Sequence, residues 1–418
     1  MLLTPLSRDE ETPRQMSESD RSETEAQAAP PTVAPGAAER VEAAVVGGGL
    51  AGLICAWRAA RSGAGVVVID DPRRPAAAHV AAGMIAPVGE ASWGEEELLG
   101  AGLRSAAEWP AFAAELEADA GLPVPYRRCG ALHVALDPDE AAELRRRGEL
   151  ERRLGLEARE LLGSECRALE PGLASVVNAG IEAPGEAEVD PRRLLEALRA
   201  ACAANGVRFI DGTVSLVDPR SGRIEGGGFA PLTAERVFLA AGAWAGAEGL
   251  LGRDRPRLPV RPVKGEIVRL RAEAGAMPCE RIIGGERFYI VPRAEGEIVI
   301  GATVEERGFD LRVTAGGVHE LLREAYRALP ELAELELIET AAGLRPGSPD
   351  NAPAIGPLPG DDERRVIVVA GLYRNGVLLA PMIAAAADNA LQVAELPVEL
   401  AALTPDRLGR RHREQVRA

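Results

Sequence analysis

The sequence is poor in the residues that metal sites and disulfide frameworks require. Its 418 residues contain only five cysteines and four histidines. The cysteines are scattered, odd in number and form no CxxC pair, which fits buried thiols in a reducing cytoplasm better than a disulfide framework or a zinc site. The histidines are isolated from one another along the chain. We therefore expect a cytoplasmic protein without a metal site.

Long apolar runs and an excess of positive charge are also missing. No uninterrupted apolar run reaches the roughly eighteen residues that suggest a membrane-spanning helix. The formal net charge is −16, which argues against a nucleic-acid partner because contacts to phosphates need a basic surface. The apolar fraction of 46% and the charged fraction of 27% are ordinary for a soluble globular protein. The length of the chain allows two domains.

The two ends of the chain differ in composition from the rest. Residues 1–40 are rich in Glu, Ser, Pro and Ala and have no bulky apolar residue between Met16 and Val33. Such a segment cannot bury enough apolar surface to order itself, and it lacks the basic start and apolar core of a secretion signal. We expect a disordered extension there, or an upstream start codon chosen over a later one. Residues 406–418 are expected to form a basic, frayed tail.

The folded part begins with two apolar segments around a helical pattern. Val41–Val46 and Val66–Ile69 are predicted to be buried strands, and Leu50–Arg61 is predicted to be the helix between them. In such a unit the start of the helix, here Leu50 and Ala51, faces a bound phosphate because its first N–H groups have no partner within the helix.

The turn between the first strand and the helix reads Gly47-x-Gly49-x-x-Gly52. In this pattern the first glycine makes a tight turn, the second lets the backbone approach a pyrophosphate, and the third lets the helix pack on the strand. Asp70 follows the second strand, where a carboxylate can accept hydrogen bonds from both ribose hydroxyls. The sequence therefore predicts a dinucleotide site, with an ordinary glycine-rich turn as the minority alternative. The pattern alone leaves NAD and FAD open.

The chain does not continue as regular βαβ repeats. Cys129–Leu136 and Phe288–Ile300 read as antiparallel strands, and the second of these segments reads as a hairpin. A helix is marked by Asp190 as its N-cap, Pro191 in its first turn and Gly206 just past its end. The pattern indicates a nucleotide-binding domain made of separated segments, with an antiparallel-sheet domain inserted between them.

Several longer motifs, taken in order, resemble those of one family. They are AAGMIAP (81–87), the Asp190-Pro191 helix, FLAAGAW (238–244), RPVKGEIVRL (261–270), FYIVPR (288–293), GEIVIGAT (296–303), AGLRPGSPDNAPAIGP (342–357) and GLYRNGVLLAP (371–381). From Val41 to about Leu400 the chain resembles the D-amino-acid oxidase and sarcosine oxidase superfamily of FAD enzymes. Within it, the chain is most similar to the glycine oxidases of thiamine biosynthesis.

The resemblance implies an α/β (α+β) fold with two domains. A Rossmann-like FAD-binding domain is expected from the separated residues 41–125, 189–256 and 341–405. An antiparallel-sheet substrate domain is expected from residues 126–188 and 257–340. Relatives of this kind are often homotetramers, so the resemblance also implies a homo-oligomer.

The resemblance implies the chemistry as well. A glycine oxidase converts glycine through iminoglycine to glyoxylate and ammonia while O2 is reduced to H2O2, and it supplies thiazole synthesis for thiamine. Two alternatives stay open: a D-amino-acid or sarcosine-type (N-methyl amino acid) oxidase or dehydrogenase, and a flavin-binding module without turnover. Sarcosine oxidases attach their flavin through a cysteine in the C-terminal third of the chain. Because this chain has no cysteine beyond Cys279, its FAD is expected to be non-covalent. No residue is an obvious general base, so we expect direct hydride transfer to the flavin.

The resemblance implies that three residues lie at the substrate. Arg345, in the AGLRP motif, would grip the substrate carboxylate from a rigid Gly/Pro-rich loop, because a guanidinium matches a carboxylate bidentately. The alternative is a salt bridge from Arg345 to Asp350. Tyr289 would border the substrate, or else be a strand aromatic packed in the core. Arg374, between a predicted buried strand and a predicted buried helix, would find its partner in the flavin and the substrate.

The resemblance also implies a set of residues around the flavin. GLYRNGV would line the ring system largely through its backbone, and a helix beginning after Gly376 would aim its positive end at the pyrimidine side of the ring. Val214 would bond the adenine through its main chain, and Lys264 belongs to a strand that reads as structural. The expected FAD contacts beyond the glycine motif are Ala82, Gly83, Met84, Val214, Leu372, Tyr373, Arg374, Asn375, Gly376, Val377 and Leu378.

Overall fold

The computed structural model describes residues 39–273, 275–392 and 395–408. The predicted extension as far as residue 38, and the predicted tail from residue 409, lie outside the described residues. The α-helices of the described part are, in chain order, α1 (Leu50–Arg61), α2 (Glu96–Ala120), α3 (Pro138–Arg153), α4 (Gly163–Leu169), α5 (Pro191–Ala204), α6 (Ala315–Ala328) and α7 (Ala380–Gln392).

The β-strands of the described part form three sheets. They are, in chain order, β1 (Glu39–Val46), β2 (Val66–Asp70), β3 (Met84–Ile85), β4 (Tyr126–Arg128), β5 (Ala131–Ala135), β6 (Arg159–Leu162), β7 (Ala179–Ala183), β8 (Ala187–Val189), β9 (Arg208–Asp211), β10 (Thr213–Asp218), β11 (Arg223–Gly227), β12 (Leu232–Leu239), β13 (Arg261–Arg271), β14 (Ile282–Gly284), β15 (Tyr289–Pro292), β16 (Glu297–Gly301), β17 (Glu336–Gly347), β18 (Ala354–Pro357) and β19 (Val366–Ala370).

The first sheet contains the predicted nucleotide-binding strands. Its order is β10-β11-β12-β1-β2-β9, and β19 joins it beside β12, with β18 next to β19. β1 is parallel to both β2 and β12, and the side chains of its residues 43–46 are buried on both faces of the sheet. Val45 packs in a core with α1, α5 and α7, whereas Val46 belongs to the core on the opposite face. Coverage on both faces explains why these strands read as continuous apolar runs.

The second sheet is almost entirely antiparallel. Its order is β17-β13-β16-β15-β14-β5-β7-β6, and only the β14–β5 pair within it is parallel. The predicted hairpin over Phe288–Ile300 is present as β15 and β16. One face of the sheet packs on α6 through a large apolar core. Its strands interrupt those of the first sheet along the chain, so the fold is a segmented nucleotide-binding unit with an inserted antiparallel sheet.

Local predictions hold at the glycine motif and fail at the C-terminal end. α1 has the predicted bounds, and Asp190 caps α5 as predicted. β1 begins at Glu39, inside the stretch expected to be disordered, because it pairs with β12 along its whole length. Arg407, placed in the predicted frayed tail, is buried and pairs with Asp350 at 3.1 Å. Among the described helices, none combines the length and the apolar character needed to cross a membrane.

Candidate active site

A cavity of about 1410 Å³ is lined by residues of both large sheets. Pockets for single drug-sized ligands span about 300–1,000 Å³, so this cavity has room for a dinucleotide together with a small substrate. It brings together every residue predicted for the site except Gly52. Those residues are Gly47, Gly49, Leu50, Ala51, Asp70, Ala82, Gly83, Met84, Val214, Tyr289, Arg345 and 372–378.

The glycine motif shapes one part of the cavity into an anion site. Gly47 has a φ of +104°, and a Cβ there would collide with the Ala240 carbonyl. A Cβ on Gly52 would collide with the Gly47 carbonyl, whereas a Cβ on Gly49 would meet only the Ala76 Cβ at 3.5 Å. No described side chain caps α1, and its first turn has no acidic residue. Its first N–H groups are therefore left for an anion such as a pyrophosphate.

Two neighbouring carboxylates lie at the end of β2, and only the first was predicted. Asp70 lines the cavity and accepts a hydrogen bond at 2.9 Å from a backbone N–H of the glycine motif. Asp71 is buried and accepts from the Thr213 hydroxyl at 2.6 Å. Hydrogen bonds from Arg73 and Thr213 hold the pKa of Asp71 well below its usual range. Asp71 thereby ties β2 to β10, on which Val214 lines the cavity.

The segment Ala82–Met84 is held by a buried ion pair that the sequence did not reveal. Arg293, the last residue of FYIVPR, is only 5% exposed. It pairs with Glu188 and donates a hydrogen bond to the Ala82 carbonyl. Gly83 has a φ of +79°, and a Cβ there would collide with the backbone at the end of β8. Held in this way, the segment presents small residues and backbone to the cavity, which suits a flat ring.

Residues 372–378 line the cavity as predicted, but the helix after them starts later. Tyr373 has a φ of +46°, and its N–H donates to the Pro346 carbonyl at 2.9 Å. The chain then makes turns before α7 begins at Ala380, not directly after Gly376. The positive end of α7 therefore lies about one turn further along the chain.

Two side chains of α2 fix the end of this turn. The Ser105 hydroxyl and the Trp109 indole N–H both donate to the Leu378 carbonyl, at 2.7 and 3.1 Å. Ser105 and Trp109 are fully buried. Neither residue was predicted, and the only signal was a serine on the apolar face of a helix. These bonds fix the position of the backbone at the cavity wall.

The structure corrects the expected partner of Arg374. Its guanidinium forms ion pairs with Glu90 and Glu95, the latter at 2.7 Å. Burial opposes its charge, but the two carboxylates outweigh that effect and raise the pKa of Arg374. Two protein carboxylates thus match the charge that we expected the flavin and the substrate to match, and Arg374 also lines the cavity. Sequence reasoning missed both partners because they precede Arg374 by 284 and 279 residues.

Arg345 lies on β17 and not in the predicted loop. Its guanidinium extends over Gly265 of β13, where a Cβ would collide with it. Nη1 donates to the Thr303 carbonyl at 3.0 Å. Among the described residues no carboxylate forms an ion pair with Arg345, and Asp350 pairs with Arg407. The proposed salt bridge from Arg345 to Asp350 is therefore not formed, and within the described part of the chain the half-buried guanidinium faces the cavity without a carboxylate partner.

Tyr289 lies beside Arg345 at the cavity wall. Its ring lies over Gly301 of β16, where a Cβ would collide with the hydroxyl. Burial raises the pKa of the Tyr289 hydroxyl, while the charge of Arg345 acts to lower it and that of Glu90 to raise it. Glycines inside strands mark close approach of another group. Gly265 and Gly301 are thus the sequence signals that the side chains above them share one site.

A buried network lies under Arg345. Lys264 is fully buried and pairs with Glu266 at 2.6 Å and Glu305 at 3.4 Å. The Lys264 carbonyl accepts a hydrogen bond from Arg345 Nη1 at 3.4 Å. Glu266 also accepts from the Thr314 N–H at 3.0 Å, just before α6 begins. Burial opposes the charge of Lys264, but its carboxylate partners raise its pKa above the usual value. The network fixes β13, in agreement with a structural role for Lys264.

A glycine-motif parallel sheet, an inserted antiparallel sheet and a shared dinucleotide-sized cavity together define a flavin-dependent oxidoreductase. Residues 42–389 match the family described as FAD dependent oxidoreductase, DAO. The chain belongs to this DAO family of FAD-dependent enzymes, and FAD is its cofactor.

Individual relatives resemble the chain over most of its length. It is 33% identical to the glycine oxidase of Geobacillus kaustophilus, over 82% of this chain and 90% of that protein. A crystal structure of glycine oxidase from that organism superposes with a TM-score of 0.80 at 30% identity, over 88% of this chain and 98% of the other. The structure of iminodiacetate oxidase from Chelativorans sp. BNC1 gives a TM-score of 0.76 at 28% identity, over 87% of this chain and 99% of the other.

A longer relative is also similar. The chain is 34% identical to the Bifunctional protein ThiO/ThiG of Trichormus variabilis, over 82% of this chain and 51% of that protein. The chain therefore spans about half the length of this curated relative.

Proposed function

We propose that the chain is an FAD-dependent glycine oxidase. It converts glycine through iminoglycine to glyoxylate and ammonia, reduces O2 to H2O2, and supplies thiazole synthesis for thiamine in the cytoplasm. The observation that carries the proposal is Arg345, a cavity-facing guanidinium whose hydrogen bonds go to backbone carbonyls. An anionic group small enough to share the cavity with FAD, such as an amino-acid carboxylate, completes its coordination. The names of the similar glycine oxidases support this choice.

The residues of the chain bind and orient the two reactants. Arg345 holds the substrate carboxylate through two parallel hydrogen bonds, which restricts the position of the substrate Cα. The Tyr289 hydroxyl, beside Arg345, offers a further hydrogen bond to the same end of the substrate. Because burial raises its pKa, this hydroxyl stays protonated and able to donate at neutral pH.

The cofactor is held by the segments that converge on the cavity. The start of α1 binds the pyrophosphate, Asp70 the ribose and the main chain of Val214 the adenine. Ala82–Met84 and the turn over residues 372–378 bound the flavin. Bound FAD supplies the hydride acceptor for the substrate Cα–H. No general base is invoked, so orientation by these residues provides most of the acceleration.

A peroxide assay tests the proposal. Purified yellow protein is supplied aerobically with glycine, sarcosine, D-alanine and D-proline, and H2O2 and ammonia are measured. We expect glycine to give the highest kcat/KM, with ammonia and glyoxylate as products. Turnover of only sarcosine or D-proline would establish the sarcosine-type alternative. Substrate-dependent reduction of a quinone or dye without peroxide would establish a dehydrogenase, and no turnover of any amine would overturn the proposal.

A further inference from the structure

The cavity wall near Tyr289 carries a carboxylate as well as the Arg345 guanidinium. Glu90 belongs to the loop between β3 and α2 and lines the cavity. Glu90, Tyr289 and Arg345 all line this cavity. The charges of Arg345 and Glu90 have opposite effects on the pKa of the Tyr289 hydroxyl. An amino acid at neutral pH carries the same two charges, a carboxylate and an ammonium, joined through a single Cα.

Arg374 holds the Glu90 carboxylate, but part of the Glu90 side chain stays exposed to the cavity. Its Oε2 contacts Nε of Arg374, and Nη2 of Arg374 donates to the Glu90 carbonyl at 3.4 Å. The Glu90 side chain nevertheless stays 26% exposed at the cavity it lines. Among the described residues, Arg374 is the only basic residue that contacts this carboxylate. A carboxylate has about four acceptor positions, so it retains capacity for a ligand donor.

The charge count around Arg374 leaves an excess of negative charge. Glu95 already pairs with Arg374 at 2.7 Å, and its side chain is more buried than that of Glu90. Glu95 lies outside the set of residues that line the cavity. One guanidinium therefore faces two carboxylates, and of these two only Glu90 lines the cavity. A local excess of negative charge favours a cationic ligand group.

The loop that carries Glu90 is anchored from behind. The Gly89 N–H donates to Glu186, whose side chain is 1% exposed and belongs to the segment before β8. His133 of β5 lies against the same position, because a Cβ on Gly89 would approach its Nε2 to 2.6 Å. Burial and Arg147 lower the pKa of His133, so it adds no positive charge beside Glu90 at neutral pH. Because the backbone beside Glu90 is held in place, Glu90 loses little conformational entropy when it binds a ligand.

We propose that Glu90 binds the amino group of the substrate, so that Arg345 and Glu90 together select amino acids over carboxylates that lack an amine. The proposal rests on the proposed function, since it takes an amino acid as the substrate. Glu90 accepts hydrogen bonds from the substrate nitrogen while Arg345 holds the carboxylate. Arg374 serves as the positioning residue that orients Glu90.

Two matched variants test this role in the FAD-loaded enzyme. Glu90→Gln and Glu95→Gln each remove one carboxylate charge from Arg374, but only Glu90 lines the cavity. Glycine turnover is measured as kcat/KM, and the dissociation constants of glycine and acetate are measured by perturbation of the visible flavin spectrum. We expect Glu90→Gln to lower kcat/KM for glycine by at least about tenfold, as the loss of a charge-assisted hydrogen bond predicts.

The same variant should leave the acetate dissociation constant near the wild-type value, because acetate has no amine for Glu90 to bind. Glu95→Gln should leave both ligands near wild type. Glu90→Asp, which keeps the charge, should retain part of the discrimination and replaces Glu90→Gln if that variant fails to fold. Equal weakening of glycine and acetate by a Glu90 variant, or equal effects of Glu90→Gln and Glu95→Gln, would overturn the proposal.

The failure of the proposed function has a different signature. If the wild-type enzyme oxidises no amino acid, the glycine oxidase proposal fails. The comparison of glycine and acetate binding among the variants still decides whether Glu90 recognises an amine.

Discussion

At the scale of single residues, Arg374, Arg407 and Arg345 differ in where their counter-charge comes from. Arg374 has two carboxylate partners, and Arg407 has Asp350. The hydrogen bonds of Arg345 go instead to the carbonyls of two backbone segments. Keeping a half-buried cation without an anion costs free energy. This arrangement supports the proposal that Arg345 binds a carboxylate ligand.

Replacing Arg345 should remove carboxylate recognition and leave the fold intact. A charge-assisted hydrogen-bonded pair contributes about 1.5–3 kcal/mol. Because a factor of ten corresponds to about 1.4 kcal/mol, Arg345→Ala should lower kcat/KM for glycine at least about tenfold, and up to several hundredfold if both hydrogen bonds are lost. Arg345→Lys should recover only part of the activity, because an ammonium keeps the charge but cannot form the two parallel hydrogen bonds of a planar guanidinium. Steady-state kinetics and the FAD-to-protein ratio check these expectations.

Arg407→Ala is the control for loss of a structural arginine. Arg407 pairs with Asp350 and is not among the residues that line the cavity, so its replacement should lower Tm without a selective effect on glycine. Simple amines without a carboxylate should be poor substrates and should respond little to Arg345→Ala. If Arg345→Ala lowers the activity on glycine and on such an amine equally, the assignment of Arg345 to the substrate carboxylate is wrong.

At the scale of secondary structure, β13 performs two tasks through the alternation of its side chains. Gly265 leaves room on the cavity face for the guanidinium of Arg345. Its neighbours Lys264 and Glu266 project to the other face, where they form a fully buried ion pair at 2.6 Å. The antiparallel register places Arg345 opposite Val263, two residues before Gly265. The pairing of β13 with β17 thus provides a rigid support for Arg345.

Breaking the buried pair on β13 should destabilise the protein more than it affects chemistry. Removal of one partner of a buried ion pair costs about 3–5 kcal/mol, because the other charge stays buried without compensation. Lys264→Met should therefore lower the Tm of the FAD-loaded enzyme clearly. The double change Lys264→Met with Glu266→Met should recover part of the loss. Scanning calorimetry at a fixed FAD excess measures both. A variant Lys264→Met with wild-type Tm but no turnover would instead indicate a direct role in catalysis.

At the scale of the whole molecule, the cavity depends on segments that are far apart in the sequence. The glycine motif, the turn over residues 372–378 and strands of the second sheet all contribute to its wall. A ligand that fills such a cavity stabilises the folded state by binding it in preference to the unfolded chain. The bound FAD is therefore expected to contribute to the stability of both sheets.

The FAD should be non-covalent, and its loss should be measurable separately from loss of the fold. Acid precipitation should release all yellow colour into the supernatant, and removal of FAD should lower Tm. Gly49→Ala should reduce the FAD-to-protein ratio while circular dichroism stays native, because its Cβ meets no close protein atom but lies where the pyrophosphate approaches. Gly52→Ala is the contrasting variant, since its Cβ collides with backbone and should damage the fold itself. Colour retained in the acid pellet would contradict the prediction.

The sequence by itself determined the features that depend on residues close together in the chain. The bounds of α1, the Asp190 cap and the glycine motif are set by local hydrogen bonds and backbone freedom, so a short stretch suffices to predict them. The resemblance of longer motifs was needed to place Arg345 and Tyr289 in one site. Spacing along the chain does not show that Gly265 and Gly301 clear the space for them.

Only the tertiary structure decided which charges meet. Glu90 and Glu95 reach Arg374 across 284 and 279 residues, and Arg407 reaches Asp350 across 57. Such partners are set by the order of strands in a sheet and the packing of loops upon it, which side-chain periodicity does not encode. The same packing places Arg345 on a strand and starts α7 at Ala380. Local sequence thus specifies the parts of the site, whereas long-range packing specifies their counter-charges.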